Sequence, residues 1–185
     1  MTTDQQELDL MRRVRRLAGP YIDAIAPLTS VPPAFLAALT AGESGVYLIH
    51  NTVIPARFEP AVYYALQDVR DGKREHYGQI TQKMLVGRPN VDVSRYASSW
   101  GFTQIMGYHA LRWGADISEL NRAERHYTHT VRLLVENASD FGLDLTRDFS
   151  DMATVWNTGK TDGKTHDPEY VPNLLRRMKL WAEVR

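Results

Sequence analysis

The chain has 185 residues, of which 43% are hydrophobic and 24% charged, proportions typical of a soluble globular protein rather than a disordered or fibrous one. Lys plus Arg and Asp plus Glu each number 22, so the basic excess that attracts proteins to nucleic acid is absent and no nucleic acid partner is expected. The absence of cysteine excludes disulfides, thiolate metal sites and a cysteine nucleophile. We expect a single domain over residues 1–185 whose core is held by packing alone.

The start of the chain, MTTDQQELDL, is polar and acidic, unlike the basic start and apolar run of a signal peptide. No stretch approaches the run of about 18 apolar residues that a membrane-spanning helix needs. These patterns predict a protein that is made in a cytoplasm without a signal peptide.

Apolar residues at helical spacing predict the first elements of the chain. A helix is expected over residues 4–18, ended by Gly-Pro at 19–20. Short helices are expected after Pro-Pro at 32–33 and from Pro60, because proline is favoured in the first turn of a helix. Residues 71–98 hold three glycines and a proline between short apolar runs, which predicts a loop with a short hairpin or helix.

The second half of the chain is predicted to be helical as well. Helices are expected over residues 103–113, 118–141 and 149–156, and a last one begins at Asp-Pro 167–168. The pattern predicts an all-α domain of about seven helices with a loop or short hairpin insertion. Residues 1–30 are expected to form an N-terminal helical segment packed on it.

Glu43 is the acid whose surroundings are most unusual. It continues the apolar face of Leu36 and Leu39 at the carboxyl end of a predicted helix that is otherwise almost wholly apolar. Burial and the negative end of the helix dipole are expected to raise the pKa of Glu43, as a general acid requires. The alternative is a solvated last residue of a helix that ends at Gly45.

Three sequence motifs and a tyrosine follow one another along the chain in the order in which a known superfamily carries them. These motifs are Gly-Glu-Ser-Gly at residues 42–45, Ser-Trp-Gly-Phe-Thr-Gln-Ile-Met-Gly at 99–107 and Val-Trp-Asn-Thr-Gly at 155–159, and the tyrosine is Tyr170. Together they resemble the motifs of bacterial lytic transglycosylases and goose-type lysozymes. Residues 54–60 (Ile-Pro-Ala-Arg-Phe-Glu-Pro) resemble a stretch of the N-acetylmuramidase family of phage endolysins. The resemblance covers residues 30–182 and implies a lysozyme-like fold.

The resemblance implies cleavage of the β-1,4 bond between N-acetylmuramic acid and N-acetylglucosamine, with Glu43 as general acid and without a cofactor. Hydrolysis with two carboxylates also needs a partner about 5–9 Å away. Glu59 is the first candidate for this second carboxylate, and Asp92 is a weaker one. As alternatives, Glu59 is a normal acid at the start of a helix, or pairs with Arg57.

The resemblance also implies a set of substrate-binding residues. Gln104 is expected to hydrogen-bond an acetamido or hydroxyl group, and Ser99 to form a tight turn where backbone approaches the sugar. Asn157 is expected to bond a sugar, and Tyr170 to hydrogen-bond and orient Glu43. The alternatives are structural: a helix start for Gln104, a helix-entry turn for Ser99, a helix cap for Asn157 and packing for Tyr170.

Histidines and basic runs offer further candidates. His126 and His129 stand three residues apart, a spacing that can hold a metal, but no third ligand has a suitable spacing. We therefore expect solvated surface histidines and no metal site. Residues 12–16 and 176–179 are rich in arginine, which predicts solvated helix faces, with weak contact to anionic envelope polymers or a lipid surface as the alternative.

The sequence thus favours a monomeric muramidase that acts on peptidoglycan strands after release from the cell that makes it. A lytic transglycosylase forming 1,6-anhydromuramic products is the alternative within the same class. A catalytically silent glycan-binding or virion structural domain is the alternative from another class. The presence of both Glu43 and Gln104 favours an enzyme, because a binding module gains nothing from a desolvated acid.

Overall fold

The structure, a computed structural model, describes residues 3–46 and 56–184. These residues form ten α-helices and five short strands, so the prediction of a predominantly helical chain is confirmed. They form two compact units, the first with residues 3–46 and 127–184 and the second with residues 56–126. The single domain expected over residues 1–185 stays a prediction. No helix among the described residues is long and apolar enough to cross a membrane.

The helices and strands are numbered in chain order. The helices are α1 (Thr3–Leu17), α2 (Gly19–Ile25), α3 (Pro33–Glu43), α4 (Pro60–Arg70), α5 (Gln82–Leu85), α6 (Asn90–Tyr96), α7 (Gly107–Trp113), α8 (Ala123–Phe141), α9 (Phe149–Thr158) and α10 (Tyr170–Trp181). The strands are β1 (Arg57–Phe58), β2 (His76–Tyr77), β3 (Ile80–Thr81), β4 (Ser98–Trp100) and β5 (Ile105–Met106). Two 3₁₀ turns lie at Ala26–Leu28 and Ile117–Asn121.

The first unit is built around α3. Residues 35–41 of this helix are all buried, as expected for a helix that is apolar on every side. Helix α3 packs against α1, α2 and α10. Its one buried hydroxyl, that of Thr40, donates to the Leu36 carbonyl at 2.8 Å and lies 2.7 Å from the Tyr127 hydroxyl. The buried hydroxyl groups of Thr40 and Tyr127 therefore both have hydrogen-bond partners.

The second unit combines a small sheet with short helices. Strand β4 lies between β1 and β5 in an antiparallel sheet, with Ser99 opposite both Arg57 and Met106. Part of its core is an apolar cluster from α4, β3, α5, α6 and the residue that follows α6. The members of that cluster are Leu66, Val69, Ile80, Leu85, Val93 and Ala97.

Several predicted boundaries differ from the structure. Gly19 and Pro20 end α1 but also start α2, because proline fits the first turn of a helix. The ambiguous stretch 71–98 holds both a hairpin (β2 with β3) and two short helices. The predicted helix over 118–141 is broken, since a 3₁₀ turn precedes α8. The last helix begins at Tyr170, three residues later than predicted.

The helix predicted over residues 103–113 begins only at Gly107. Residues 105–106 form strand β5, which pairs with β4. Between the two strands, Gly101 and Gln104 both have left-handed backbone, with φ of 70° and 53°. A right-handed helix cannot include such residues, so the prediction for 103–106 is wrong.

Candidate active site

Glu43 is the last residue of α3 and is half-buried. The backbone N–H groups of Ser44 and Gly45 both donate to the Thr40 carbonyl and close the helix. Gly45 and Val46 then take left-handed backbone, each with φ of 56°. This conformation is costly for the β-branched Val46, so the chain is strained at this residue, three positions beyond Glu43.

Tyr170, the first residue of α10, meets Glu43 within the first unit. Its hydroxyl donates a hydrogen bond to Oε1 of the Glu43 carboxyl, as the sequence predicts. Burial, and next the neighbouring Glu43, raise the pKa of Tyr170 well above its usual range. The phenol therefore keeps its proton and acts as a donor that fixes the orientation of the carboxyl.

An ion pair that sequence reasoning missed lies beside this hydrogen bond. Arg177 of α10 donates to both carboxylate oxygens of Glu7 on α1, at 2.7 and 3.0 Å. The Arg177 side chain is 14% exposed, so the solvated face predicted for residues 176–179 is wrong at this position. The one available signal was that Arg177 follows Tyr170 by seven residues, two turns along the same helix face.

In the second unit, Ser99 and Gln104 are bonded to each other. The Ser99 hydroxyl donates to Oε1 of Gln104 at 2.8 Å, and Nε2 of Gln104 donates to the Gly101 carbonyl at 2.9 Å. Ser99 is buried, and its hydroxyl also lies 3.4 Å from the Arg57 carbonyl oxygen on the neighbouring strand. Gln104 is half-buried, and these two bonds use one of its two amide N–H groups and one of its two carbonyl lone pairs. One N–H and one lone pair therefore remain for a further partner.

His126 anchors the turn that carries Gln104. Its Nε2 accepts a hydrogen bond from the Thr103 backbone N–H at 2.9 Å, and its Nδ1 lies 2.7 Å from the Leu120 carbonyl. This pattern requires a neutral ring with its proton on Nδ1. His126 and His129 are only 1% and 7% exposed. The prediction of solvated surface histidines is therefore wrong.

The two glycines of the 99–107 motif are explained by close packing. A Cβ on Gly101 would lie 2.3 Å from Nδ1 of His126, and one on Gly107 would lie 2.3 Å from the Arg95 carbonyl oxygen. No side chain fits at either distance. The motif is thus a compact strand–turn–strand unit whose glycines admit neighbouring groups.

The candidate second carboxylates lie in the second unit. Nε of Arg57 donates to Oε1 of Glu59 at 2.6 Å, which is the ion pair foreseen as an alternative. Asp92 lines a pocket of about 370 Å³ together with Arg88 and Arg95. The described structure begins again at residue 56, so positions 54–55 of the muramidase-like stretch lie outside it.

The remaining predicted residues have less defined surroundings. Asn157 is exposed one residue before the end of α9, in the first unit. In the basic run 12–16, Arg12 pairs with Asp9 at 2.9 Å, while Arg15 pairs with Asp23 at 3.0 Å. Exposed ion pairs of this kind contribute little to stability. These two arginines are nevertheless partnered rather than free cations.

The structure thus brings four of the six candidate residues together in two pairs, one in each unit: Glu43 with Tyr170, and Ser99 with Gln104. Glu59 and Asn157 belong to neither pair. Among residues 3–46 and 56–184, no group of three or more acidic or histidine side chains is placed to hold a metal ion. Comparison with protein-family models, with curated proteins and with solved structures finds no match in any of the three.

Proposed function

We propose that this chain is a peptidoglycan hydrolase of lysozyme-like fold, an N-acetylmuramidase in which Glu43 is the general acid. The observation that carries the proposal is the hydrogen bond from Tyr170 to the Glu43 carboxyl at the end of the buried helix α3. A half-buried carboxyl that is held in one orientation suits proton transfer to a leaving group. The resemblance of residues 42–45 and 99–107 supports the choice of substrate.

In the proposed reaction, Tyr170 donates to Oε1 of Glu43 and the acidic proton sits on Oε2. Glu43 gives this proton to the bridging oxygen while the bond from that oxygen to C1 of N-acetylmuramic acid breaks, so that the leaving sugar gains a hydroxyl. Water then bonds to C1, and a carboxylate takes its proton. Glu59 is the proposed second carboxylate, and Asp92 the weaker candidate.

Gln104 and Asn157 are the proposed sugar-binding residues. Ser99 and the Gly101 carbonyl fix the Gln104 amide, so that its remaining N–H and lone pair have a defined direction. An acetamido group offers one acceptor and one donor, which complements such an amide. The protein is further proposed to act as a monomer on the cell wall after its release, with the basic runs making at most weak contacts to the envelope.

Product analysis tests the proposed reaction. Purified sacculi digested with the protein should release muropeptides with reducing N-acetylmuramic ends, which borohydride reduces and mass spectrometry identifies. Muropeptides one water lighter, with 1,6-anhydromuramic ends, would instead establish the lytic transglycosylase. Intact sacculi after prolonged digestion would leave the silent glycan-binding or virion structural domain.

A pair of substitutions tests Glu59. We expect Glu59→Gln to lower the turnover of sacculi at least about tenfold, because a neutral amide cannot take the proton of the attacking water. Arg57→Gln is the matched control, since it breaks the same ion pair but keeps the carboxylate, and it should stay within a few-fold of the unmodified protein. Equal losses in the two variants would assign Glu59 a structural role, and an unchanged Glu59→Gln would remove it from the mechanism.

A further inference from the structure

The guanidinium of Arg177 is fixed in place beside Gly42, the residue that precedes the proposed acid in the chain. Its two hydrogen bonds to Glu7 form a bidentate pair, the arrangement that sets both the position and the direction of an arginine. Both side chains are 14% exposed, so solvent and salt screen the charges only weakly. The hydrogen bonds that Arg177 donates, together with its positive charge, hold the pKa of the Glu7 carboxyl below its ordinary value. Glu7 is therefore ionised at neutral pH.

The position of Arg177 relative to α3 follows from Gly42. A Cβ placed on Gly42 would lie 3.6 Å from Nη1 of Arg177 and 3.6 Å from Cε2 of Tyr170. The cation and the tyrosine ring therefore face the same piece of α3 backbone, one residue before Glu43. The field of Arg177 also reaches the phenol, because it opposes the rise in the pKa of Tyr170 that burial and Glu43 cause.

We propose that Glu7 is a positioning residue for Glu43: it holds the Arg177 guanidinium beside Gly42 and neutralises its charge, so that Glu43 lies next to an ion pair rather than a free cation. This inference rests on the proposed function, in which Glu43 must carry a proton before the bond breaks. A free cation close to a carboxyl favours its charged form and depletes the acid. By neutralising Arg177, Glu7 thus allows Glu43 to keep the proton that a general acid must carry.

The other helices packed against α3 bring further charges, which the structure pairs. Arg13 of α1 donates to the Gly45 carbonyl at 3.4 Å. Asp23 of α2 accepts from Arg15 at 3.0 Å. On α10, Arg176 lies 3.5 Å from the Glu7 carboxylate and shares it with Arg177. Loss of the Glu7 carboxylate therefore leaves two arginines without their shared anion.

The titration of Glu43 measures this effect directly. In Glu7→Gln, the midpoint of the Glu43 titration, followed through the chemical shift of its carboxyl carbon, should move about one unit toward lower pH, the lower end of what a nearby cation causes. The basic limb of the pH–activity profile on sacculi should move in the same direction. Asp23→Asn breaks a different ion pair of α1 in the same unit and should move neither.

Two more variants separate electrostatics from structural support. Arg177→Gln should move the Glu43 midpoint toward higher pH, because Glu7 then keeps its negative charge with less neutralisation. The double variant Glu7→Gln/Arg177→Gln should return the midpoint close to that of the unmodified protein. The double variant leaves neither member of the Glu7–Arg177 pair without the other, and Arg176 keeps Asp4 at 3.9 Å. The double variant and Arg177→Gln therefore carry the test even if Glu7→Gln loses its fold.

The outcomes distinguish the inference from the proposed function. If the midpoint of the Glu43 titration stays constant in all variants while the melting temperature falls, the inference is overturned and Glu7 has a purely structural role. Midpoints that shift as expected in a protein that releases no product from sacculi would refute the proposed function, while the effect of Glu7 on Glu43 stands. Opposite shifts in the two single variants, together with shifted pH–activity limbs, support both.

Discussion

Replacing Glu43 by glutamine should lower the rate at which the protein clears suspensions of purified cell walls by at least about 100-fold, the lower range of what a positioned general acid contributes. Glutamine keeps a carbonyl oxygen that accepts the Tyr170 hydrogen bond, but it has no acidic proton for the bridging oxygen. The melting temperature should change by less than about 2 °C, which corresponds to less than 1 kcal/mol. Turbidity and calorimetry measure the two quantities.

The matched control for this substitution is Glu169→Gln. Glu169 precedes Tyr170, is exposed, and loses the same charge by the same change of atoms. Its clearing rate should equal that of the unmodified protein. Full activity of Glu43→Gln would exclude Glu43 as the acid, and a comparable loss in both variants would show that a change of charge near α10, rather than a missing proton, slows the reaction.

Helix α3 and its contact with Tyr170 were predictable because the signals are local or belong to a motif. Proline at 32–33 marks the start of the helix, and the continuous apolar run from Ala34 to Leu39 predicts burial. The resemblance placed Tyr170 near Glu43, and the structure contains that hydrogen bond. The catalytic role of the pair stays a prediction.

The turn at residues 101–104 was not predictable from helical periodicity. Ile105 and Met106 stand at apolar positions that fit a helix as well as a strand. What decides the outcome is His126, more than twenty residues further along the chain, whose ring accepts the Thr103 N–H. A buried histidine looks like a surface one in the sequence when its partners are backbone groups from another segment.

The Glu7–Arg177 ion pair could not be predicted from the sequence for the same reason, because its residues are even further apart in the chain. Its two residues are 170 positions apart, and each stands among similar charges in its own helix. Sequence patterns show that α1 and α10 are rich in charged residues, but they do not show which arginine forms an ion pair with which acid. Only the packing of α1 and α10 beside α3 selects this pair and places Arg177 next to Gly42.

Gly101→Ala should lower the free energy of unfolding by about 3 kcal/mol, the sum expected for forcing a methyl group into a packed site and for left-handed backbone in alanine. The added carbon would lie 2.3 Å from Nδ1 of His126 and 2.4 Å from the Leu120 carbonyl oxygen. These two atoms are 2.7 Å apart and hydrogen-bonded to each other, so neither moves without breaking the bond. Urea unfolding measures the loss.

Gly87→Ala is the control that separates the two causes. Gly87 has φ of +77°, close to the +70° of Gly101, but a Cβ there would meet nothing within 4 Å. It should therefore cost only the backbone term of about 1 kcal/mol. A loss in Gly101→Ala no larger than in Gly87→Ala would contradict the anchoring role of His126. The expected excess of about 2 kcal/mol would instead measure how tightly this histidine holds the turn that carries Gln104.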